Sequence, residues 1–488
     1  MTDLGQNNIN PEAVNSSDHQ EKINVKFSFK EFFQYFGPGL LVAIAYIDPG
    51  NLAGDMDAGL NGKYHLLWVL FLSTLLGFFF QNRAMMIGLV TGKDMAKLCH
   101  CYYPKKMSIL LWIMAEIAIM GSDIQEVLGS AIALQILFGL KLWIGVILTI
   151  SSTILILLIK YIGMRILECI FAVLIGTMAI CFFIDLGYIA PNFGELMEGM
   201  FVPYIPASAL NSMVGLIGAV LMPHNLYLHS SLVYEKNISR NDRPLLHKSI
   251  FYFKIETGIS LLISFFISMA VIGTFANWYN SGTDIDLSSA ATVLEDNFGT
   301  AAKYIWGIGL LAAGQSSTLT GTLAGQFVMS GFVEMRVSQF KRAFITRSIA
   351  IVPAIVIAFV AEDVDFNNYL NILQAIQLPF AVIPLLKLSM DKELMGEFRI
   401  GKVQLNLLSV LSATIVGVNY YSLVPDEVNW SEAWIYIILV VMVLYFIFLG
   451  LVIFTKIKDT KEVNQIKVSK HKQSSQIQED NEKNNAKQ

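Results

Sequence analysis

Charged side chains are scarce in this chain. Asp, Glu, Lys and Arg make up 15% of its 488 residues, whereas soluble domains usually carry about 25% charged residues. Hydrophobic residues make up 55%, and they form runs long enough to cross a bilayer, which takes about 20 mostly apolar residues. These features predict an all-α polytopic membrane protein, which we expect to be neither an enzyme nor a nucleic-acid-binding protein.

Cysteine is also scarce, and we expect no cleaved leader. Cys99 and Cys101 fall in a polar loop, and Cys169 and Cys181 fall in an apolar run. None lies in a segment predicted to be outside, so we expect no structural disulfide. The spacing of Cys99-His100-Cys101 matches no standard zinc pattern. The first 30 residues lack a charged and then apolar leader, so the first span is expected to act as its own insertion signal.

The apolar runs predict twelve membrane spans joined by polar loops. The polar ends, residues 1–36 and 456–488, are predicted to be disordered cytoplasmic tails on either side of a membrane domain at 37–455. The spans lie at about 38–60, 65–89, 108–138, 142–159, 165–187, 206–233, 250–277, 302–330, 342–361, 367–389, 403–424 and 432–455.

The distribution of Lys and Arg predicts the orientation, because basic residues stay on the cytoplasmic side. Loops after even-numbered spans hold most of the 34 basic residues, whereas loops after odd-numbered spans hold only Lys63, Lys141 and Lys303. Both termini are therefore predicted to be cytoplasmic. The outer loops are acidic, either because basic residues are avoided there or because acidic loops concentrate cations. Asn429-Trp430-Ser431 is a possible glycosylation site on the outer side.

Two spans carry a matching interruption. Asp48-Pro49-Gly50-Asn51 interrupts the first span, and Met222-Pro223-His224-Asn225 interrupts the sixth. Proline lacks an N–H group and clashes with the carbonyl four residues earlier, so an α-helix unwinds there; Pro49, Gly50 and Pro223 are the predicted helix-breaking residues. Unwound backbone at membrane depth survives only where it is buried or lines a wet cavity. Paired interruptions of this kind indicate the binding site of a secondary transporter.

The two interrupted spans run in opposite directions, since the first starts inside and the sixth starts outside. This arrangement predicts an inverted repeat of five plus five spans, with repeat 1 at about 37–187 and repeat 2 at about 206–389. Spans eleven and twelve, at about 403–455, are additional. No strong residue identity between the halves supports the repeat, which rests on topology alone.

The side chains at the interruptions suit a transition-metal dication. Asp48 offers a carboxylate and Asn51 an amide oxygen; Met222 offers a thioether, and Ala219 a carbonyl freed by Pro223. Mg²⁺ and Ca²⁺ prefer shells of oxygen alone, so the soft sulfur should favour Mn²⁺, Fe²⁺, Co²⁺ or Cd²⁺. The plainer alternatives are that Asp48 caps the second half of its helix and that Met222 packs in the core. Either Gln374 or Gln377, in span ten, is expected to add a ligand when the site closes.

A group of titratable residues at membrane depth predicts a proton route. Asp123 and Glu126 are three residues apart and so share a helix face, and histidine changes charge near neutral pH. The alternative is a set of buried hydrogen bonds or ion pairs, for example with Arg342 or Arg347. The group consists of Glu116, Asp123, Glu126, His224 and His229.

Several stretches together resemble the Nramp (natural resistance-associated macrophage protein) family of divalent-metal transporters. They carry the sequences DPGN and MPH at the interruptions and the small, polar run GQSSTLTG in span eight, which also favours close helix packing. The stretches are 37–51, 88–104, 115–133, 213–233, 314–332 and 374–384. The resemblance implies a leucine-transporter-type fold and proton-driven import of Fe²⁺ and Mn²⁺ into the cytoplasm.

The resemblance also implies roles for single residues. By matching positions, Asp48, Asn51, Met222 and the Ala219 carbonyl would bind metal, with Gln377 as a further ligand. Asp123, Glu126 and His224 would carry protons. Since Met222 is present, the magnesium- and aluminium-transporting relatives, which lack this residue, are disfavoured.

We therefore expect a monomeric, proton-coupled importer of divalent transition metals that works by alternating access and needs no cofactor. Its partners would be metal ions, protons and lipid, in the plasma membrane or in an endosomal, phagosomal or vacuolar membrane. The alternatives are a cation-coupled amino-acid carrier on the same fold, which would want small residues at both interruptions, and a membrane metal sensor, for which the tails are short. A channel would need repeated rings of ligands.

Overall fold

The computed structural model describes residues 27–159, 164–282, 285–333, 348, 352–356, 366–421 and 433–458. Most of the predicted ninth span, Arg342, Arg347, the possible glycosylation site at Asn429 and most of both tails lie outside these residues.

The regular structure in the described ranges is helical, and proline or a small polar residue begins many of the helices. In chain order the helices are α1 Phe29–Tyr35, α2 Pro38–Ile44, α3 Pro49–Gly62, α4 Leu67–Thr91, α5 Met95–Tyr102, α6 Lys105–Phe138, α7 Leu142–Ile159, α8 Met164–Ile189, α9 Phe193–Phe201, α10 Leu210–Val220, α11 Pro223–Glu235, α12 Arg243–Phe275, α13 Ser289–Phe298, α14 Thr300–Phe332, α15 Phe366–Met390, α16 Lys392–Met395, α17 Lys402–Tyr421 and α18 Ala433–Phe454.

Eleven of the predicted spans, all except the ninth, coincide with helices among the described residues, and the first and sixth spans each correspond to two helices. Six segments among the described residues are long and apolar enough to cross a membrane by themselves. They are Leu67–Thr91, Lys105–Phe138, Glu168–Ile189, Ala207–Glu235, Arg243–Trp278 and Asn367–Met390. The total of twelve spans stays a prediction.

Residues 29–35, near the end of the predicted N-terminal tail, form a helix, and the start of the membrane domain at residue 37 stays a prediction. Phe29–Tyr35 forms α1 because Phe32 is buried and Glu31 binds α12. Glu31 accepts hydrogen bonds from Lys248 at 2.6 Å and from Tyr252 at 2.8 Å. The bond from Lys248 lowers the pKa of Glu31. No local pattern in the sequence indicates these contacts, which join residues more than 200 positions apart.

Three short helices between the spans were also missed: α5, α9 and α13. They are too short to stand out as periodic apolar runs, and each depends on packing against longer helices. Polar side chains start two of them, since Asp94 caps α5 and Asn192 caps α9.

The two interrupted spans lie at the centre of the bundle. Helix α3 contacts α6, α10, α12 and α15, and α11 contacts α4, α14 and α15. Close packing at the first interruption requires glycine, because a Cβ atom at Gly129 of α6 would overlap the ring of Pro49. The unwound residues are therefore enclosed by protein rather than by lipid.

Candidate functional site

The first break consists of residues 45–48, between α2 and α3. Pro49 starts α3, and Asp48 lies just before it with extended backbone angles. The Oδ1 atom of Asp48 accepts a hydrogen bond from the backbone N–H of Asn51 at 2.7 Å. Asp48 is therefore the N-cap of α3, and a carboxylate has further lone pairs for other partners. The capping and metal-binding roles considered for Asp48 are compatible.

The second break consists of residues 221–222, between α10 and α11. In an unbroken helix the carbonyl of Ala219 would accept from the residue four positions later, but that residue is Pro223, which has no N–H. Met222 occupies the N-cap position of α11 without a capping hydrogen bond from its side chain. The second break thus leaves one backbone carbonyl and one thioether available.

The two breaks share a sequence pattern that our sequence analysis missed. Residues 45–51 read AYIDPGN and residues 219–225 read AVLMPHN, so alanine, proline and asparagine recur at the same positions. Ala45 precedes Pro49 by four residues, as Ala219 precedes Pro223. An alignment of the breaks at their prolines would have found this identity. The inverted repeat predicted from topology is therefore also visible in the residues.

The breaks face each other in the structure. The Asn225 amide donates a hydrogen bond to the Ala45 carbonyl at 3.4 Å. One turn after Asn51, Gly54 lies against the side chain of Ala219. The predicted metal ligands Asp48, Asn51, Ala219 and Met222 are all buried, and so is Gln377.

Unpaired polar atoms mark this region. Both amide atoms of Asn51 and the Oε1 atom of Gln377 are buried without a hydrogen-bond partner among the described residues. Buried polar atoms are nearly always paired, so these atoms are candidates for binding a ligand. The described residues contain no group of three or more His, Cys, Asp or Glu side chains that could hold a metal. A metal at the breaks would therefore need amide, carbonyl and thioether ligands beside the one carboxylate.

A chain of amide groups fixes the first break against α6 and α15. Asn371 donates to the Gly50 carbonyl at 2.9 Å and accepts from Gln125 at 2.8 Å. Gln374 donates to Gln125 at 2.7 Å. We call Gln125, Asn371 and Gln374 the amide network. Gln374 stays a predicted ligand as well, because only its nitrogen is held within this network, whereas its Oε1 atom is buried without a partner among the described residues.

The predicted proton-route residues fall into separate places. The carboxylates of Asp123 and Glu126 converge on Gly321 of α14. Ser122 donates to Glu126 at 3.2 Å, and its side chain also interacts with Asp48. Ser122 therefore connects the carboxylate pair on α6 to the first break.

Glu116 belongs to a cavity next to this pair. The cavity has a volume of about 250 Å³, and Glu116, Asp123, Trp112 and Met329 contribute to its lining. Trp112 donates a hydrogen bond to Glu116 at 2.8 Å. The other lining residues are apolar, so the two carboxylates are its acidic groups.

The two histidines differ in their surroundings. His224 is buried next to Met222, and its Nδ1 atom has no partner within the described ranges. The Nδ1 atom of His229 lies 3.1 Å from the Oε1 atom of Gln81, whose amide nitrogen donates to the Tyr46 hydroxyl at 3.3 Å. His229 is thus held by α4, away from the carboxylates of α6.

A second polar cluster, missed from the sequence, holds the start of α2. Glu256 of α12 accepts from the backbone N–H groups of Gly37 at 2.5 Å and Gly39 at 3.0 Å. Lys236, at the end of α11, pairs with Glu168 of α8 at 3.1 Å and donates to the Phe36 carbonyl at 3.4 Å. We call Glu168, Lys236 and Glu256 the tether cluster.

Comparison with known proteins places these features in context. The family model described as natural resistance-associated macrophage protein-like, Nramp, matches residues 39–425. The metal transporter nramp1 homolog of Dictyostelium discoideum is 44% identical over 414 residues, which cover 83% of this chain and 78% of that protein. The metal transporter Nramp3 of Arabidopsis thaliana is 41% identical over 423 residues, covering 84% and 83%.

Solved structures agree with the predicted fold. A manganese transporter of Eremococcus coleocola matches with a TM-score of 0.79 and 27% identity, covering 90% of this chain and 98% of that one. Mhp1, a nucleobase-cation-symport-1 family transporter, matches with a TM-score of 0.50 and 13% identity, covering 86% and 93%; this likeness concerns the fold alone. The predicted leucine-transporter-type architecture is confirmed.

Proposed function

The chain belongs to the Nramp family of membrane metal transporters, and from this premise we propose that it imports Mn²⁺ and Fe²⁺, and also Co²⁺ and Cd²⁺, into the cytoplasm together with protons. The observation that carries the proposal is the set of donors at the two breaks. Asp48 supplies the one charged oxygen, Asn51 the unpaired amide and Met222 the buried sulfur.

The donor set favours borderline cations over hard ones. A thioether adds little to the binding of Ca²⁺ or Mg²⁺, which would have to give up water for it. Mn²⁺, Fe²⁺, Co²⁺ and Cd²⁺ accept mixed oxygen and sulfur ligands more readily. A dication bound by one carboxylate keeps a net charge of about +1. A nearby carboxylate that releases its proton becomes negative and can balance this charge.

The proton would travel by the carboxylates of α6. Ser122 interacts with both Asp48 and Glu126, so binding of a cation at Asp48 can change the proton affinity of the pair. Asp123 and the cavity beside Glu116 extend the route away from the metal. We assign His224 and His229 to the same function: His224 is buried two residues after Met222, and His229 contacts Gln81 of α4.

Alternating access would move the two halves of each broken helix separately. We infer that the tether cluster faces the cytoplasm and the amide network faces outward, because the Lys and Arg distribution places both termini inside. In this conformation the contacts of the tether cluster and of the amide network are both formed, and the proposed metal ligands are buried. Release of the tether cluster would open the site inward, and release of the amide network would open it outward.

The test is Mn²⁺ uptake into proteoliposomes at an outside pH of about 5.5 and about 7.5, with and without excess Ca²⁺. We expect uptake to be greater at the lower pH and insensitive to Ca²⁺. In Met222→Ala, Ca²⁺ should inhibit. A folded wild-type protein that takes up no Mn²⁺ at either pH would overturn the proposal.

A further inference from the structure

The helix that follows each break carries three chemically active residues on one face. In α3 they are Asp48, Asn51 and Asp55, and in α11 they are Met222, Asn225 and His229. The spacing, three and then four residues, places each set in a line along its helix. All six side chains are buried. The first two members of the α3 set belong to the proposed metal site, but Asp55 has no role so far.

Asp55 lacks the partners that a buried carboxylate normally has. It is 1% exposed, and neither carboxylate oxygen has a hydrogen-bond partner meeting normal geometry in the described part of the chain. The side chain of Ser268, on α12, is an uncharged polar group that interacts with it. The only charged side chain that interacts with Asp55, among the described residues, is Asp48. Asp55 is therefore buried on the same helix face as a like charge, Asp48.

An unpaired carboxylate in a membrane protein interior is costly and usually functional. Two such groups on one helix face attract a cation more strongly than either does alone. Seven residues separate them, so they are about 10 Å apart along the axis. One metal ion cannot bridge that distance, since metal–oxygen bonds are about 2.0–2.6 Å long. Any cation at Asp55 would occupy a site of its own.

The repeat gives an independent indication. His229 occupies the same position in α11 as Asp55 does in α3, and its Nε2 atom is also without a partner in the described ranges. Asn51 and Asn225, which occupy the position between, each have an unpartnered side-chain oxygen as well. Both halves thus place a metal-competent side chain two turns beyond the break. Since the repeats are inverted, these two positions lie on opposite sides of the central site.

We propose that Asp55 and the Ser268 hydroxyl form a second binding site for a divalent transition-metal cation, on the outer side of the site at the breaks. The proposal rests on the import function and orientation proposed above. A cation that keeps part of its water shell is held first by these hard oxygens. It then passes along Asn51 to Asp48 and Met222, where the sulfur selects it.

The chain offers a matched control for Asp55. Asp57 lies two residues further along α3, is partly exposed, and accepts a hydrogen bond from Asn61 at 2.6 Å. Asp57→Asn therefore removes the same charge from the same helix without changing the buried side chains Asp48, Asn51 and Asp55. Asp55→Glu keeps the charge and tests whether the carboxylate itself is required.

The experiment combines equilibrium binding of ⁵⁴Mn²⁺ to the purified full-length protein with uptake into proteoliposomes. Wild type and Asp57→Asn should bind a second, weaker Mn²⁺, which Asp55→Asn loses and Asp55→Glu retains. Asp48→Ala should keep only the weaker ion. Uptake by Asp55→Asn should show a KM raised about tenfold with Vmax within about twofold, as expected when an entry site rather than the transport step is lost.

Several results would overturn the second site. If Asp55→Asn binds and transports Mn²⁺ like the wild type, Asp55 is protonated and structural. If Asp55→Glu behaves like Asp55→Asn, or if Asp48→Ala binds no Mn²⁺, the effect does not come from a separate carboxylate site. These outcomes leave the proposed import function intact, whereas a wild-type protein without Mn²⁺ uptake would remove both.

Discussion

The two breaks share an alanine, a proline and an asparagine at matching positions, but the helices that follow them are capped differently. Asp48 caps α3 with its own side chain at 2.7 Å from the Asn51 nitrogen, whereas Met222 cannot cap α11 and its helix starts without a capping side chain. Asp48 therefore serves the fold and the site together, and Met222 contributes only its sulfur and its packing. Asp48→Ala should therefore affect stability and transport together, whereas Met222→Leu should change selectivity with little loss of stability.

The largest effect is expected from Asp48. Asp48→Ala removes the cap and the charged ligand, whereas Asp48→Asn keeps a capping oxygen, since Asn and Asp are similar N-caps. Loss of a residue that only orients a metal ligand already reduces affinity or activity by about 10–100-fold, so loss of the charged ligand itself should reduce uptake by about 100-fold or more in both variants. Only the alanine variant should also unfold more easily, by about 1 kcal/mol.

Thermal unfolding in detergent and Mn²⁺ uptake in proteoliposomes measure the two effects. Equal stability of Asp48→Ala and Asp48→Asn would show that the cap contributes little. Normal uptake by Asp48→Asn would mean that no charged oxygen is needed at the first break, and the proposed site would be wrong.

The next effect concerns selectivity at Met222. Met222→Leu removes the sulfur and nearly conserves volume, so the free energy of unfolding should fall by less than about 1.5 kcal/mol. Met222→Ala removes the sulfur and also leaves a cavity, at a cost of about 2–5 kcal/mol. Both variants should retain reduced Mn²⁺ uptake, and the concentration of Ca²⁺ that halves it should fall by on the order of tenfold.

Competition assays on both variants check this prediction. If Ca²⁺ inhibits Met222→Ala but not Met222→Leu, the packing of the site decides selectivity and the sulfur does not.

Much of the fold was predictable because it rests on local patterns. The sequence placed the third span at 108–138, and α6 covers Lys105–Phe138; a long apolar run and a following glycine, Gly139, define such a helix. The breaks were predictable because Pro49 and Pro223 act within one turn. The amide network and the tether cluster were not, because Asn371 and Gly50 are 321 residues apart and Glu256 and Gly37 are 219 apart. No local pattern carries such pairings.

The helices that continue from the breaks both end at a lysine, and the two lysines extend the comparison. Lys236 follows α11 and pairs with Glu168, whose side chain is 7% exposed. Lys63 follows α3 and pairs with Glu195, whose side chain is 44% exposed. Positive charge at a helix C-terminus is favourable in both places, but only the first pair is shielded from water.

A moderate effect is expected from Lys236→Met. Hydrogen bonds to charged groups contribute about 1.5–3 kcal/mol, and this variant removes both the bond to Glu168 and the bond to the Phe36 carbonyl. The tether cluster would then hold α2 less firmly, and uptake should change several-fold. The double variant Lys236→Glu with Glu168→Lys exchanges the two charges and should restore part of the wild-type uptake. Unchanged uptake in Lys236→Met would exclude a gating role for this pair.

The smallest effect is expected from Lys63→Met, because exposed ion pairs contribute little. Lys63 lowers the pKa of Glu195 below its ordinary value of 4.5. A carboxylate with a lowered pKa stays ionised at about pH 5.5, and its ion pair is lost only as the pH falls through that lowered value. Loss of the pair therefore should leave uptake within about twofold of the wild type, and the ratio of uptake at about pH 5.5 to that at about pH 7.5 should not change. If that ratio falls in Lys63→Met, protonation of surface groups contributes to the pH dependence of uptake, in addition to protonation at Asp48 and the carboxylates of α6. The proton route proposed here would then be incomplete.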